Sequence, residues 1–144
     1  MTARTRFSMV AFNTTTYVWS WKVKKATPSN KAQAIAWMEG LPAIESHCLL
    51  PAALTTLQIA NTARSGEKRM LFLGNRPPFC WDGTGGGGWP GDGYDQQCLT
   101  QITAANTANI PLDTIFYPEF PGAGEETFWV QLAAANQGTF ELAE

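Results

Sequence analysis

The chain has a single histidine, His47, among 144 residues. Nucleophilic catalysis needs a base held beside the nucleophile. With one imidazole and no Gly-x-Ser-x-Gly elbow, the sequence offers no hydrolase machinery of that kind. Charge is also scarce, at 15% of residues with a formal net charge of −2. That balance leaves no electrostatic footprint for nucleic acid or anionic lipid. Only Lys22, Lys24 and Lys25 cluster, which reads as the solvated end of an edge strand. No apolar run approaches the roughly 18–20 residues of a membrane helix. The opening Met1–Phe7 lacks the apolar stretch of a secretory signal, so any signal or anchor is expected only in a longer parent chain.

Cysteine is nearly as sparse, with three residues and no Cys-x-x-Cys pair. Cys48, Cys80 and Cys98, with His47, are expected near one edge of a sheet. A zinc site is the sharp reading, but zinc ligands normally come in close-spaced pairs. Three unpaired thiols are the simpler expectation. A Cys80–Cys98 disulfide closing the long loop is the alternative in an oxidising compartment.

What the chain does have is enough apolar content, 44%, and enough length for one domain with a real core. Residues 6–13 form a nearly continuous apolar run, the pattern of a strand covered on both faces. Residues 17–22 alternate, with Tyr17, Trp19 and Trp21 on one side, as in an antiparallel edge strand. A helix is expected to start near Ser29 or Asn30 and to carry an apolar stripe of Ala34, Ile35, Met38 and Leu41. A second carries Leu50, Ala53, Leu54, Leu57 and Ala60. Residues 68–73 read as a buried strand and 111–116 as a further strand, with a helix from Asp95 between them. Glu125 and Glu126 open a final helix, and 139–142 form a last strand. Alternating helices and apolar strands predict an α/β sheet with helices on both faces. Its ligands would bind beyond the carboxyl ends of the strands.

Residues 75–94 (NRPPFCWDGTGGGGWPGDGY) are the long loop. Its glycines lack the Gly-Lys-Ser/Thr of a phosphate cradle. Phe79, Trp81, Trp89 and Tyr94, interleaved with Asp82, Asp92 and Asp95, suit stacking on a sugar or gripping a peptide; the bland reading folds the rings back onto the domain. Asp82 and Asp92 lie in too glycine-rich a context to be fixed for glycosidase work. Trp19, Trp21, Trp37 and Trp129 lie on regular elements and read as packing residues.

Several segments together resemble the von Willebrand factor type A family. They are VAFNTTTYVWSW, TPSNKAQAIAWMEGLPA, LFLGNRPP, ITAANTANIPLDTIFY and EETFWVQLAAANQGTFEL. The resemblance implies a Rossmann-like, mostly parallel sheet with one antiparallel edge strand. It also implies a single incomplete domain over 1–144, lacking the usual first strand and helix and their Asp-x-Ser-x-Ser metal motif. The family's loop threonine falls at His47 and its strand-terminal aspartate at Asn75, with Arg76 following. Mg²⁺ wants oxygen ligands with carboxylates among them, so the expectation is no metal, no cofactor and a degenerate adhesion site.

The implied function is a non-catalytic protein-interaction or assembly module. It would act through the loop edge 44–48, 74–94 and 117–123, with Ser46, His47, Asn75, Arg76, Trp81, Trp89 and Tyr94 as partner-binding candidates. The alternatives are carbohydrate binding by the aromatic loop, or a fragment of a longer metal-binding protein. A protein partner is expected, with no nucleic acid and no membrane insertion. Without a first strand, the runs 6–13 and 68–73 should either pair directly or accept a strand from another polypeptide. Either way apolar surface stays bare and favours self-association.

Overall fold

A computed structural model describes residues 5–42, 47–64, 66–80, 93–119 and 125–143. The centre is a parallel three-stranded sheet of β5 (Met70–Gly74), β6 (Leu112–Phe116) and β7 (Phe140–Leu142), in that order. Met70 pairs with Leu112 and Thr114 with Phe140. Helix α3 (Tyr94–Ala105) lies between β5 and β6 in sequence, and α4 (Thr127–Ala135) between β6 and β7. This is the repeating crossover that parallel strands require.

Alternation along the strands decides which face is covered. Met70, Phe72, Leu112, Thr114 and Phe116 are buried against α2 (Leu49–Thr62), α3 and α4. Leu49, Ala53, Leu57, Cys98, Ile102, Phe128, Trp129 and Leu132 complete that core. On the other face Leu71 and Leu73 are 58% and 55% exposed. The run 68–73 is therefore buried on one face only, and the bare apolar surface expected from the sequence is present.

A buried amide pair stitches the C-terminal ends of α3 and α4. Asn106 Nδ2 donates to Asn136 Oδ1 at 3.0 Å, while Asn106 Oδ1 accepts from the Ile110 N–H. Asn136 Nδ2 reaches the Leu132 carbonyl and Thr103 Oγ1. Both side chains are thus satisfied, as burial of an amide demands.

The N-terminal third departs from its sequence pattern. The run 6–13 is split into β1 (Arg6–Phe7), antiparallel to β4 (Lys24–Lys25), and β2 (Val10–Phe12), antiparallel to β3 (Thr16–Val18). The break comes where the Ser8 hydroxyl donates to the Ser20 carbonyl and the Trp19 N–H to the Met9 carbonyl. Residues 7–12 of this run are half-buried rather than covered on both faces. Strand β3 ends at Val18, so Trp21 leaves the alternating face and is 60% exposed.

Helix α1 (Pro28–Glu39) is capped by Thr27, not by Ser29 or Asn30, because Thr27 Oγ1 accepts the Asn30 N–H and Pro28 fits the first turn. Of its expected stripe only Ala34 is buried; Ile35 and Met38 are about half exposed because the helix lies at the periphery. Strands β2 and β5 belong to separate sheets, so the direct pairing contemplated for them does not occur among the described residues. Instead β2 packs on α2, and the Cys48 N–H donates to the Asn13 carbonyl at 3.1 Å.

Candidate functional site

The carboxyl end of β5 leads through Asn75 and Arg76 to Cys80, and the segment before α2 runs alongside it. The His47 N–H donates to the Phe79 carbonyl at 3.0 Å, an isolated antiparallel bridge. The two rings lie 5.0 Å apart, tilted by 54°. Next to that bridge Cys48 and Cys80 form a disulfide. This corrects both cysteine expectations. Cys80 is bonded to Cys48 rather than to Cys98, and only Cys98 is a free thiol among the described residues. The Cys98 side chain is fully buried in the core beside Tyr94 and the Leu50 backbone, and burial pushes its thiol up to about 11.

Arg76 sits on the same edge and forms a two-pronged ion pair with Glu119, at 2.5 and 2.7 Å. Its hydrogen bond, with the guanidinium charge, holds the Glu119 carboxyl below the usual carboxylate range. The Arg76 carbonyl accepts the indole N–H of Trp129 at 3.0 Å. The indole also packs against Gly74, where an added Cβ would overlap it. Trp129 therefore fixes the backbone on both sides of Asn75.

His47 is half-buried, its Nδ1 without a hydrogen-bond partner among the described residues. Burial lowers its pKa from 6.5, and Arg76 adds to that, while Asn75 and Glu119 act in the opposite direction. The unfolded chain thus binds a proton near pH 6.5 that the folded chain refuses until the pH is lower. Stability from this group is complete above pH 6.5 and is lost as pH falls toward the folded value. Urea melts of the wild type should therefore weaken between about pH 7 and about pH 5.5, and His47→Gln should weaken less. Equal slopes in the two proteins would count against this placement of the imidazole.

The structure brings His47, Asn75 and Arg76 together and adds Glu119, Phe79 and the disulfide to them. Ser46, Trp81 and Trp89 lie outside the described residues. Tyr94 begins α3 and packs half-buried against the core, near Cys98 and Leu50, so it is not brought to this cluster. Burial drives its hydroxyl pKa far upward. Among the described residues no group of three or more His, Cys, Asp or Glu is placed to hold a metal ion. No described helix is long and apolar enough to cross a membrane. Glu119 carries no sequence signal beyond its charge; its partner stands 43 positions away.

No protein-family model and no curated protein matches the sequence. Among solved structures the chain is similar to "von Willebrand factor type A from Catenulispora acidiphila", with a TM-score of 0.75 and 18% identity. The match covers 100% of this chain and 31% of that one, so the chain spans about a third of its length. The fold is that of a von Willebrand factor type A domain.

Proposed function

We propose that this chain is a non-catalytic protein-interaction module that docks its partner through the His47–Asn75–Arg76–Glu119 edge without a divalent cation. The observation that carries the reading is the pairing of Arg76 with Glu119 directly after Asn75. A hard cation needs several oxygen ligands with uncompensated negative charge. Asn75 offers a neutral amide, His47 a half-buried imidazole, and the one carboxylate among the described residues here, Glu119, is neutralised by a guanidinium. These residues do not fit Mg²⁺. They do fit a polar docking surface with a fixed two-sign charge pattern, which selects partners by complementarity.

The charge pattern supplies the test. Partner capture from the source organism should persist in excess chelator, fall about tenfold with Arg76→Glu, and recover when Glu119→Arg is added. Capture that vanishes with chelator, or is indifferent to both substitutions, would remove this reading. The bare face of the sheet favours self-association as a second property, because Leu71 and Leu73 are each more than half exposed there. Sedimentation at rising concentration should reveal dimers that Leu71→Lys and Leu73→Lys abolish; a monomer throughout would contradict it.

A further inference from the structure

We infer that the outer edge of β5 and the free edge of β2 receive one extended, uncharged strand of another polypeptide, laid between them. The hydrogen-bond phase of each strand identifies the open groups. The Met70 N–H donates to the Pro111 carbonyl at 2.9 Å, and the Gly74 carbonyl accepts the Tyr117 N–H at 2.8 Å. Alternation then turns the N–H and C=O groups of Met70, Phe72 and Gly74 toward β6, and those of Leu71 and Leu73 away from it. On β2 the Met9 carbonyl accepts the Trp19 N–H, and the Asn13 N–H donates to the Thr15 carbonyl. Met9, Ala11 and Asn13 therefore face β3, and the main-chain groups of Val10 and Phe12 face the other way. No described strand pairs with either edge.

The two edges belong to one place in the fold. Phe12 packs against the same apolar cluster that holds Met70 and Phe72. At the carboxyl end of β2 the Asn13 carbonyl accepts the Cys48 N–H, and Cys48 is bonded to Cys80 on the segment that follows β5. Yet β2 and β5 sit in separate sheets. A row of main-chain donors and acceptors at strand spacing is a template for another extended backbone.

These edges also decide the occupant. A strand that pairs on both sides needs both of its own edges free. Every described strand of this chain is already paired along one edge, so none from a second copy can serve. The occupant is an unpaired segment of a different partner. One of its faces lies over the cluster with Phe12 and Phe72, and the other lies beside Leu71 and Leu73, which are exposed. Both surroundings are apolar, so the segment is a run of valine, isoleucine or leucine without charge. The contact uses main-chain atoms in the plane of the sheet, away from the His47–Asn75–Arg76–Glu119 edge. Either reading can therefore fail without the other.

The probe is a blocked peptide of about six alternating valines and isoleucines, the length of an ordinary strand, with a lysine at each end for solubility. It is titrated into the full chain while amide exchange is followed by NMR. Exchange should slow about tenfold at Val10, Phe12, Leu71 and Leu73, and stay unchanged along β7. The same peptide N-methylated at every second residue keeps its side chains but loses the donors along one edge, and should bind about tenfold more weakly. Leu71→Pro removes an outward N–H and no bond to β6, and should weaken the unmodified peptide to a similar degree. Equal binding of the two peptides would show that the leucine face alone is recognised, and would overturn the assignment. Protection along β7 instead, no protection at millimolar peptide, or main-chain pairing of these edges with a second copy would overturn it too. If Leu71→Pro fails to fold, the comparison of the two peptides decides.

Discussion

Removing the Cys48–Cys80 disulfide, by reduction or by Cys48→Ser with Cys80→Ser, is expected to lower stability by about 3–4 kcal/mol. The bond joins residues 32 positions apart, and closing a loop of that size restricts the unfolded chain by about that amount. In a domain of this size the melting midpoint should fall by roughly 10 °C. Paired thermal melts with and without dithiothreitol measure it. A midpoint unchanged within about 1 °C would show that the unfolded chain is already constrained by other means.

Trp129→Ala is expected to cost about 3–5 kcal/mol, the range for deleting a buried aromatic side chain. Trp129 is 2% exposed, meets Phe128 edge-to-face and stacks near Phe116. Its backbone carbonyl accepts the Thr114 hydroxyl, which locks α4 onto β6. Trp129→Phe keeps much of the packing and loses the indole N–H bond to the Arg76 carbonyl, at about 1 kcal/mol. The two variants therefore separate core from edge. Both should broaden the Asn75 and Arg76 amide resonances, whereas only the alanine variant should shift the urea midpoint strongly. If the phenylalanine variant leaves those resonances sharp, Trp129 serves the core alone.

Most of the fold was legible in the sequence because periodicity reports burial. The strand read at 111–116 is β6, and of the stripe read in α2 Ala53 and Leu57 reach the core while Leu54 is 38% exposed. The same logic misplaced Ile35 and Met38. An apolar stripe says which side of a helix would pack, but not whether anything lies against it, and α1 is left at the periphery. The run 6–13 misled for a related reason. Its composition suits a covered strand, while the Ser8 hydroxyl donates to the Ser20 carbonyl, twelve positions on, where the run is split between two ladders.

At the candidate site, His47, Asn75 and Arg76 were reached through the resemblance and do lie together. The bond between Cys48 and Cys80 was not legible, because spacing carries no information about which cysteines converge across a fold. Glu119 was missed because an ion pair across 43 positions leaves no local pattern.

The central claim is that this edge works without a divalent cation, and a metal titration followed by NMR tests it most directly. The amide signals of His47, Asn75 and Arg76 are recorded as Mg²⁺ is raised to millimolar levels, and again with paramagnetic Mn²⁺. The account predicts no saturable shift with Mg²⁺ and no selective broadening with Mn²⁺ at those residues. It also predicts no rise in melting temperature, which a ligand bound to the native state would produce. Saturable shifts centred on Asn75, with a matching thermal stabilisation, would contradict it.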